Sequence, residues 1–370
     1  MYSKFLKFPV PLFKNCMKDY VSCRLLNTAA SEHQNIKKFK LIKRLASTVL
    51  FGGTFVAVLL ARKRKSSKSF DEAKLVSPNP NYHKNFKLYE YKGFILPMFV
   101  MKSMDNVRNF RCRDDDIFVV SFPKTGSTWL QEIVYCILKG FDESASKSIE
   151  ERFPYLEFIY PGLSFIEKIP EQRLIKTHLP YSLLPEDIHK KKPKILYIMR
   201  NPKDVVVSYY HFVRMMTVSN YVGDFETFLH DFLDDKIPYG PVWKHYSEMW
   251  EHRNDENVLI LFYEDFQKDI HESIKRIAEF LNKDLTAQEV FAIANHCSFH
   301  NMRHNPSVNY QHWDDLGIRK QTEAKFMRKG EVGDWKNYLN SETNHIMDLW
   351  INEHFKKISS LFLYDIHKPL

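Results

Sequence analysis

The run Pro123-Lys124-Thr125-Gly126-Ser127-Thr128 has the makings of an anion cradle. An apolar, β-rich run, Ile117–Phe122, stands before it. After it, Trp129–Leu138 repeats its apolar residues with helical period. A loop that opens a helix presents unpaired backbone N–H groups and the positive end of the helix dipole. Lys124 adds a cation, and Ser127 and Thr128 add hydroxyl donors. The order is not that of a Walker A loop, because here Lys124 precedes a lone Gly126. By itself the loop says only that an anion binds; a capped helix start with an exposed lysine would look the same.

The elements that must hold this loop can be read in outline. Lys194–Met199 (KILYIM) and Val258–Phe262 (VLILF) are short apolar runs like Ile117–Phe122. A helix is expected from Lys203, after Asn201-Pro202, and an amphipathic one over Ile270–Leu281. Strands alternating with helices predict an α/β fold: a parallel central sheet flanked by helices, with a P-loop-like strand-loop-helix. Ligands in such sheets sit at the carboxyl ends of the strands. Lys124, Arg200 and Tyr263 all lie just past expected strand ends, so they are placed to converge.

Four segments, in order, resemble the cytosolic-type sulfotransferase family over roughly residues 85–368. FPKTGSTWLQEIVYCI, from Phe122, resembles its 5'-phosphosulfate loop, and Lys176-Thr177-His178-Leu179-Pro180 its KTHLP segment. YIMRNPKDVVVSYYHF, from Tyr197, is similar to its 3'-phosphate stretch, and FMRKGEVGDWKN, from Phe326, to its C-terminal signature. The resemblance implies a donor, 3'-phosphoadenosine 5'-phosphosulfate (PAPS), with two anionic ends. Lys124, Thr125, Gly126, Ser127 and Thr128 would serve the 5' end, with Trp129 on the adenine. Arg200, Ser208, Arg328, Lys329 and Gly330 would serve the 3'-phosphate, and Tyr263, Cys297, Ser298 and Phe299 would lie nearby. It implies His178 as general base, since an acceptor hydroxyl must lose its proton and histidine titrates near working pH. Lys124 and Lys176 would stabilise charge on the leaving and transferred groups. Tyr155, Phe158 and Phe212, with Lys176 and His178, would line the site of a small, largely apolar phenol, alcohol, steroid or amine. No metal is called for, and no metal-ligand cluster shows in the sequence. The alternative is a catalytically weak relative that binds nucleotide or an apolar ligand. The chain departs from the family at Cys297, where Thr is usual. It also departs at Asn340, Ser341 and His345, which break the KxxxTVxxxE dimer motif and put a homodimer in doubt.

The net charge of +9 suggests nucleic acid until it is located. Residues 1–68 hold 15 Lys and Arg against two acids; the remainder holds 39 basic and 43 acidic residues. The body is therefore slightly acidic and no nucleic-acid partner is expected. Five scattered cysteines without a CxxC, and no usable glycosylation sequon, suit a cytosol-facing protein. Residues 45–61 form an uncharged run bracketed by Lys and Arg. As a helix they would be about 26 Å long, against about 30 Å of hydrocarbon. The expected order is thus a basic extension (1–44), a membrane helix (45–61), a linker (62–84) and a catalytic domain (85–370). Cytoplasmic placement or a mitochondrial presequence are the alternatives.

Overall fold

The computed structural model describes residues 68–362, apart from 142 and 357, and the chain enters it earlier than expected. Lys68–Glu72 is a short helix, α1. The Asp105 carboxylate accepts from the N–H groups of Lys68 and Ser69 at 2.8 and 2.9 Å. Lys74–Leu75 (β1), Leu88–Tyr91 (β2) and Phe94–Pro97 (β3) form an antiparallel meander. Tyr82 is buried, and Asn79 donates to Asp231 at 2.7 Å. Residues 68–84 are therefore part of the compact unit and not linker. Polar composition suggested a linker, but a few buried anchors suffice to hold the segment down. The expected membrane helix over 45–61 lies outside the described residues. Among the described residues no helix is long and apolar enough to cross a membrane.

The central sheet contains Ile117–Val120 (β4), Leu174–Thr177 (β5), Lys194–Met199 (β6) and Val258–Phe262 (β7). Its order is β5-β4-β6-β7, all parallel. Alternate side chains of a strand point to opposite faces, and the sheet uses both. Phe118 and Val120 join one core with Tyr197 and Met199; Ile117 and Val119 join another with Leu196 and Ile198. That is why these strands read as continuous apolar runs rather than alternating ones. β5 was not expected as a strand, because Lys176 interrupts its apolar pattern.

The main helices are Ser127–Lys139 (α2), Pro202–Met215 (α3), Ile270–Phe280 (α4), Ala287–His296 (α5) and Ser341–His354 (α6). Local chemistry fixes their starts. Asn201 caps α3 by accepting from the Lys203 N–H, with Pro202 at the first helical position. Asn340 caps α6 through the Thr343 N–H at 2.9 Å. The position where the dimer motif expects Thr is thus a helix cap here.

Two features of the fold prepare a site. β4 and β6 are neighbours, but the chain visits β5 on the other edge of β4 between them. Connections therefore leave β4 in opposite directions and open a crevice at the carboxyl ends. In addition, α3 carries a late segment along its side. Asp204 accepts from the N–H groups of Gly333 and Trp335 at 2.7 and 3.1 Å, and Arg214 pairs with Glu323 at 3.0 Å.

Candidate active site

The loop after β4 turns with Lys124 at φ 72° and Gly126 at φ 107°. Both lie in the left-handed region, where only glycine is free of steric cost. A Cβ on Gly126 would also come within 2.7 Å of the Tyr263 ring, so that position admits no side chain. Thr125 is fully buried and donates to the Phe122 carbonyl at 2.9 Å. Its hydroxyl is spent on shaping the loop, which leaves only backbone for an anion. Lys124, Gly126, Ser127, Thr128 and Trp129 all line a cavity of about 260 Å³.

Residues from the rest of the chain line the same cavity. Arg200 and Tyr263 follow β6 and β7, and Ser208 comes from α3. The Arg200 guanidinium lies 4.3 Å over the Tyr263 ring and donates to the Glu331 carbonyl at 2.9 Å. Arg328, Lys329 and Gly330 close the far wall. The Asp334 carboxylate holds both cations, Arg328 at 2.5 Å and Lys329 closer still. Burial pulls the Asp334 pKa up, but the hydrogen bonds from Lys329, Asn337 and Arg328 prevail and hold it at about 2. Gly330 has φ 71°, and a Cβ there would fall 2.1 Å from the Phe299 ring. Cys297 and Phe299 also line the cavity. Ser298 does not; it caps the helix Phe299–His304 by accepting from the Asn301 N–H.

The remaining wall carries Lys176, His178, Tyr155, Phe158 and Phe212. His178 Nδ1 lies 2.7 Å from the Ser121 carbonyl. A carbonyl can only accept, so Nδ1 carries the proton and Nε2 keeps its lone pair. Burial, and then the nearby Lys176, push the His178 pKa well below its ordinary value. The ring is therefore neutral at physiological pH and able to accept a proton. Burial also lowers Lys176 to about 8. It lowers Lys124 to about 7, with Lys176, Arg200 and Arg328 adding repulsion. The Lys124 ammonium sits between the Phe212 and Phe326 rings, at 4.5 and 4.2 Å. Cationic and aromatic walls thus meet around one base.

The sequence profile of the sulfotransferase domain matches residues 114–359. The chain belongs to the sulfotransferase family. The amine sulfotransferase of Oryctolagus cuniculus is 37% identical over 291 residues, covering 77% of this chain and 95% of that one. Sulfotransferase 1A1 of Mus musculus is 40% identical over 256 residues, covering 68% and 88%. Among solved structures, retinol dehydratase in complex with androsterone and the inactive cofactor PAP superposes with a TM-score of 0.71. It is 28% identical and covers 80% of this chain and 98% of its own. The central parallel sheet with flanking helices is the fold of these sulfotransferases, and the chain is a PAPS-dependent enzyme of sulfuryl transfer.

Several residues of this sulfotransferase site were not legible beforehand. Glu157 is fully buried and accepts from the Thr177 hydroxyl and the His178 N–H, both at 2.8 Å. Burial raises its carboxyl to about 7 against the pull of those hydrogen bonds. It fixes the turn that aims His178, yet in sequence it is one acid among 45. Tyr239 bonds the Tyr155 hydroxyl at 3.1 Å and stands edge-on to His178. Phe326 was visible only as the first letter of the C-terminal signature. Glu157→Gln would set an amide N–H against one of two donors, a conflict of about 1–3 kcal/mol. The expected result is a kcat lowered about 10- to 100-fold with KM for PAPS unchanged. Steady-state kinetics check it, and a KM that rises while kcat holds would refute the positioning role.

Proposed function

We propose that this sulfotransferase moves the sulfuryl group of PAPS onto a hydroxyl or amine of a small, largely apolar acceptor, with His178 as general base. The carrying observation is the hydrogen bond from His178 Nδ1 to Ser121, which leaves the base nitrogen on a residue that lines the cavity. Lys124 and Lys176 line the cavity with it.

The residues present fit the donor. Arg200 Nε and Trp129 Nε1 are buried without a hydrogen-bond partner among the described residues, as donors awaiting a ligand would be. The Phe299 ring packs directly on the Gly330 backbone, where a Cβ would clash at 2.1 Å, so the expected adenine and 3'-phosphate residues are in contact. When bound, PAPS supplies a sulfuryl group on a phosphate leaving group. Lys124, Ser127 and Thr128 would hold its 5' end, with backbone from Thr125 and Gly126. Trp129, Tyr263 and Phe299 would hold the adenine, with Cys297 and Ser298 beside it. Arg200, Ser208, Arg328, Lys329 and Gly330 would bind the 3'-phosphate, where a guanidinium can engage two oxygens. Lys176 would neutralise charge on the transferred group. His178 Nε2 would take the acceptor proton as the new bond forms. Fixed cations in a dry site do the electrostatic work, so the assignment uses no metal.

The acceptor would lie against Tyr155, Phe158 and Phe212, a wall that rewards flat or steroidal apolar molecules. A panel of phenols, alcohols, steroids and amines with sulfate-labelled PAPS tests this. Transfer to at least one apolar member is expected; donor binding without turnover on any would overturn it. Residues 45–61, uncharged and bracketed by Lys and Arg, support a membrane anchor, and the scattered cysteines without a glycosylation sequon support a cytosol-facing domain. Protease sensitivity of the domain on sealed vesicles is expected, and full protection would contradict that orientation.

Donor binding should depend on pH. Free Lys124 has a pKa of about 7, and a bound anion favours its charged form. Above pH 7 binding must therefore take up a proton, and affinity for PAP, the desulfated donor, falls as pH rises. Calorimetry at pH 8 in buffers of different ionisation enthalpy reads the uptake. Heats independent of buffer would refute it, and Lys124→Met should remove most of it.

A further inference from the structure

A second polar cluster adjoins the donor cavity, and sulfuryl transfer makes no use of it. α2 carries Glu132 and Cys136 four residues apart, so one helix face presents a carboxylate and a thiol. His296 is the last residue of α5, which packs against α2. The Glu132 oxygen, the Cys136 sulfur and a His296 ring nitrogen all lie within 4.8 Å of one another. His296 Nε2 and Glu132 Oε1 are 2.8 Å apart. Glu132 and Cys136 are buried, while the His296 side chain keeps 27% of its exposure. The Cys297 thiol shares a hydrogen bond with Cys136.

We propose that Glu132, Cys136 and His296 form a site for a zinc-class divalent cation, with the fourth position open to water or Cys297. The donor types decide the class. Thiolate, imidazole and carboxylate together suit zinc, whereas calcium and magnesium want six or more oxygens and find one carboxylate here. A tetrahedral zinc would hold such ligands about 3.3–3.6 Å apart, so His296 and Glu132, now hydrogen-bonded at 2.8 Å, would part slightly while the wider gaps, at most 4.8 Å, close. Cys136 would bind as the thiolate, releasing its proton, and Glu132 would supply the second anionic ligand. Arg152, buried and 2.8 Å from the other Glu132 oxygen, would orient that carboxylate from behind. The partly exposed imidazole gives the cation a way in.

The location gives the site a consequence. α2 begins at the anion loop, and α5 hands the chain to Cys297 and Phe299 on the cavity wall. A cation here would clip those two walls together without entering the reaction, so its failure would leave the sulfotransferase assignment standing.

Cobalt(II) is the probe, since it reports both thiolate and geometry. The full chain, stripped with chelator, should take up one equivalent of Co²⁺. A near-ultraviolet thiolate charge-transfer band and tetrahedral visible bands should appear, and Zn²⁺ should abolish both. Cys136→Ser should lose the thiolate band. His296→Gln should weaken Co²⁺ binding more than about tenfold, and PAP binding by both variants verifies that they fold. No thiolate band in the wild type, or an undiminished one in Cys136→Ser, would overturn the proposal and leave the cluster a proton-sharing network only.

Discussion

His178→Ala should lower kcat by about 10²- to 10⁴-fold while PAP affinity stays within about threefold. The ring lines the proposed acceptor side of the cavity, and its only proposed job is to remove a proton. Alanine also strips the buried Ser121 carbonyl of its partner, which costs about 1–3 kcal/mol of stability. Rate and stability therefore fall together in that variant. His178→Asn separates them, because an amide N–H can still reach Ser121 but cannot act as a base. It should recover thermal stability and none of the rate. Turnover near the wild-type level in either variant, measured with labelled donor, would sink the assignment. Because the wild-type ring is neutral well below pH 6.5, activity should show no loss from histidine protonation near that pH.

Gly330→Ala should weaken PAP binding on the order of 100-fold. A left-handed backbone costs an alanine about 1–2 kcal/mol, and the new methyl would meet the Phe299 ring at 2.1 Å. The ring must move, and it is part of the proposed adenine wall. The backbone strain lowers stability, and displacement of the ring lowers affinity; the stated factor corresponds to about 3 kcal/mol. Calorimetric titration with PAP reads it, with circular dichroism confirming the fold. Affinity within about threefold of wild type would mean that Gly330 does not shape the donor site.

How far the sequence carried depended on whether a residue's neighbours were near it in the chain. β6 and β7 were read to the residue, because a buried parallel strand is apolar throughout. α3 announced itself through Asn201 and Pro202, whose capping chemistry is local. Lys124, Arg200 and Tyr263 were placed together because parallel strands send their carboxyl ends to one edge. β5 was missed because Lys176, an expected site residue, breaks the pattern that marks a strand. Glu157 was missed because its partners, Thr177 and His178, come from a later strand end. The Glu132–Cys136–His296 cluster was missed for the same reason: its third member lies on another helix. Thr125 and Ser298 were expected in the site from the motif, but their hydroxyls shape a loop and cap a helix. The position of the motif was legible; the direction of those side chains was not.

The late segment fastened along α3 has a consequence for how the enzyme comes into being. The anion loop belongs to the first strand of the central sheet, whereas Arg328, Lys329 and Gly330 arrive near the end of the chain. A nascent chain can pair all four central strands before those residues leave the ribosome. It will have a core but only half of the proposed nucleotide site. On the proposed assignment, donor binding marks the arrival of this late segment, and a chain cut before Phe326 should keep much of its helix signal while losing its hold on PAP.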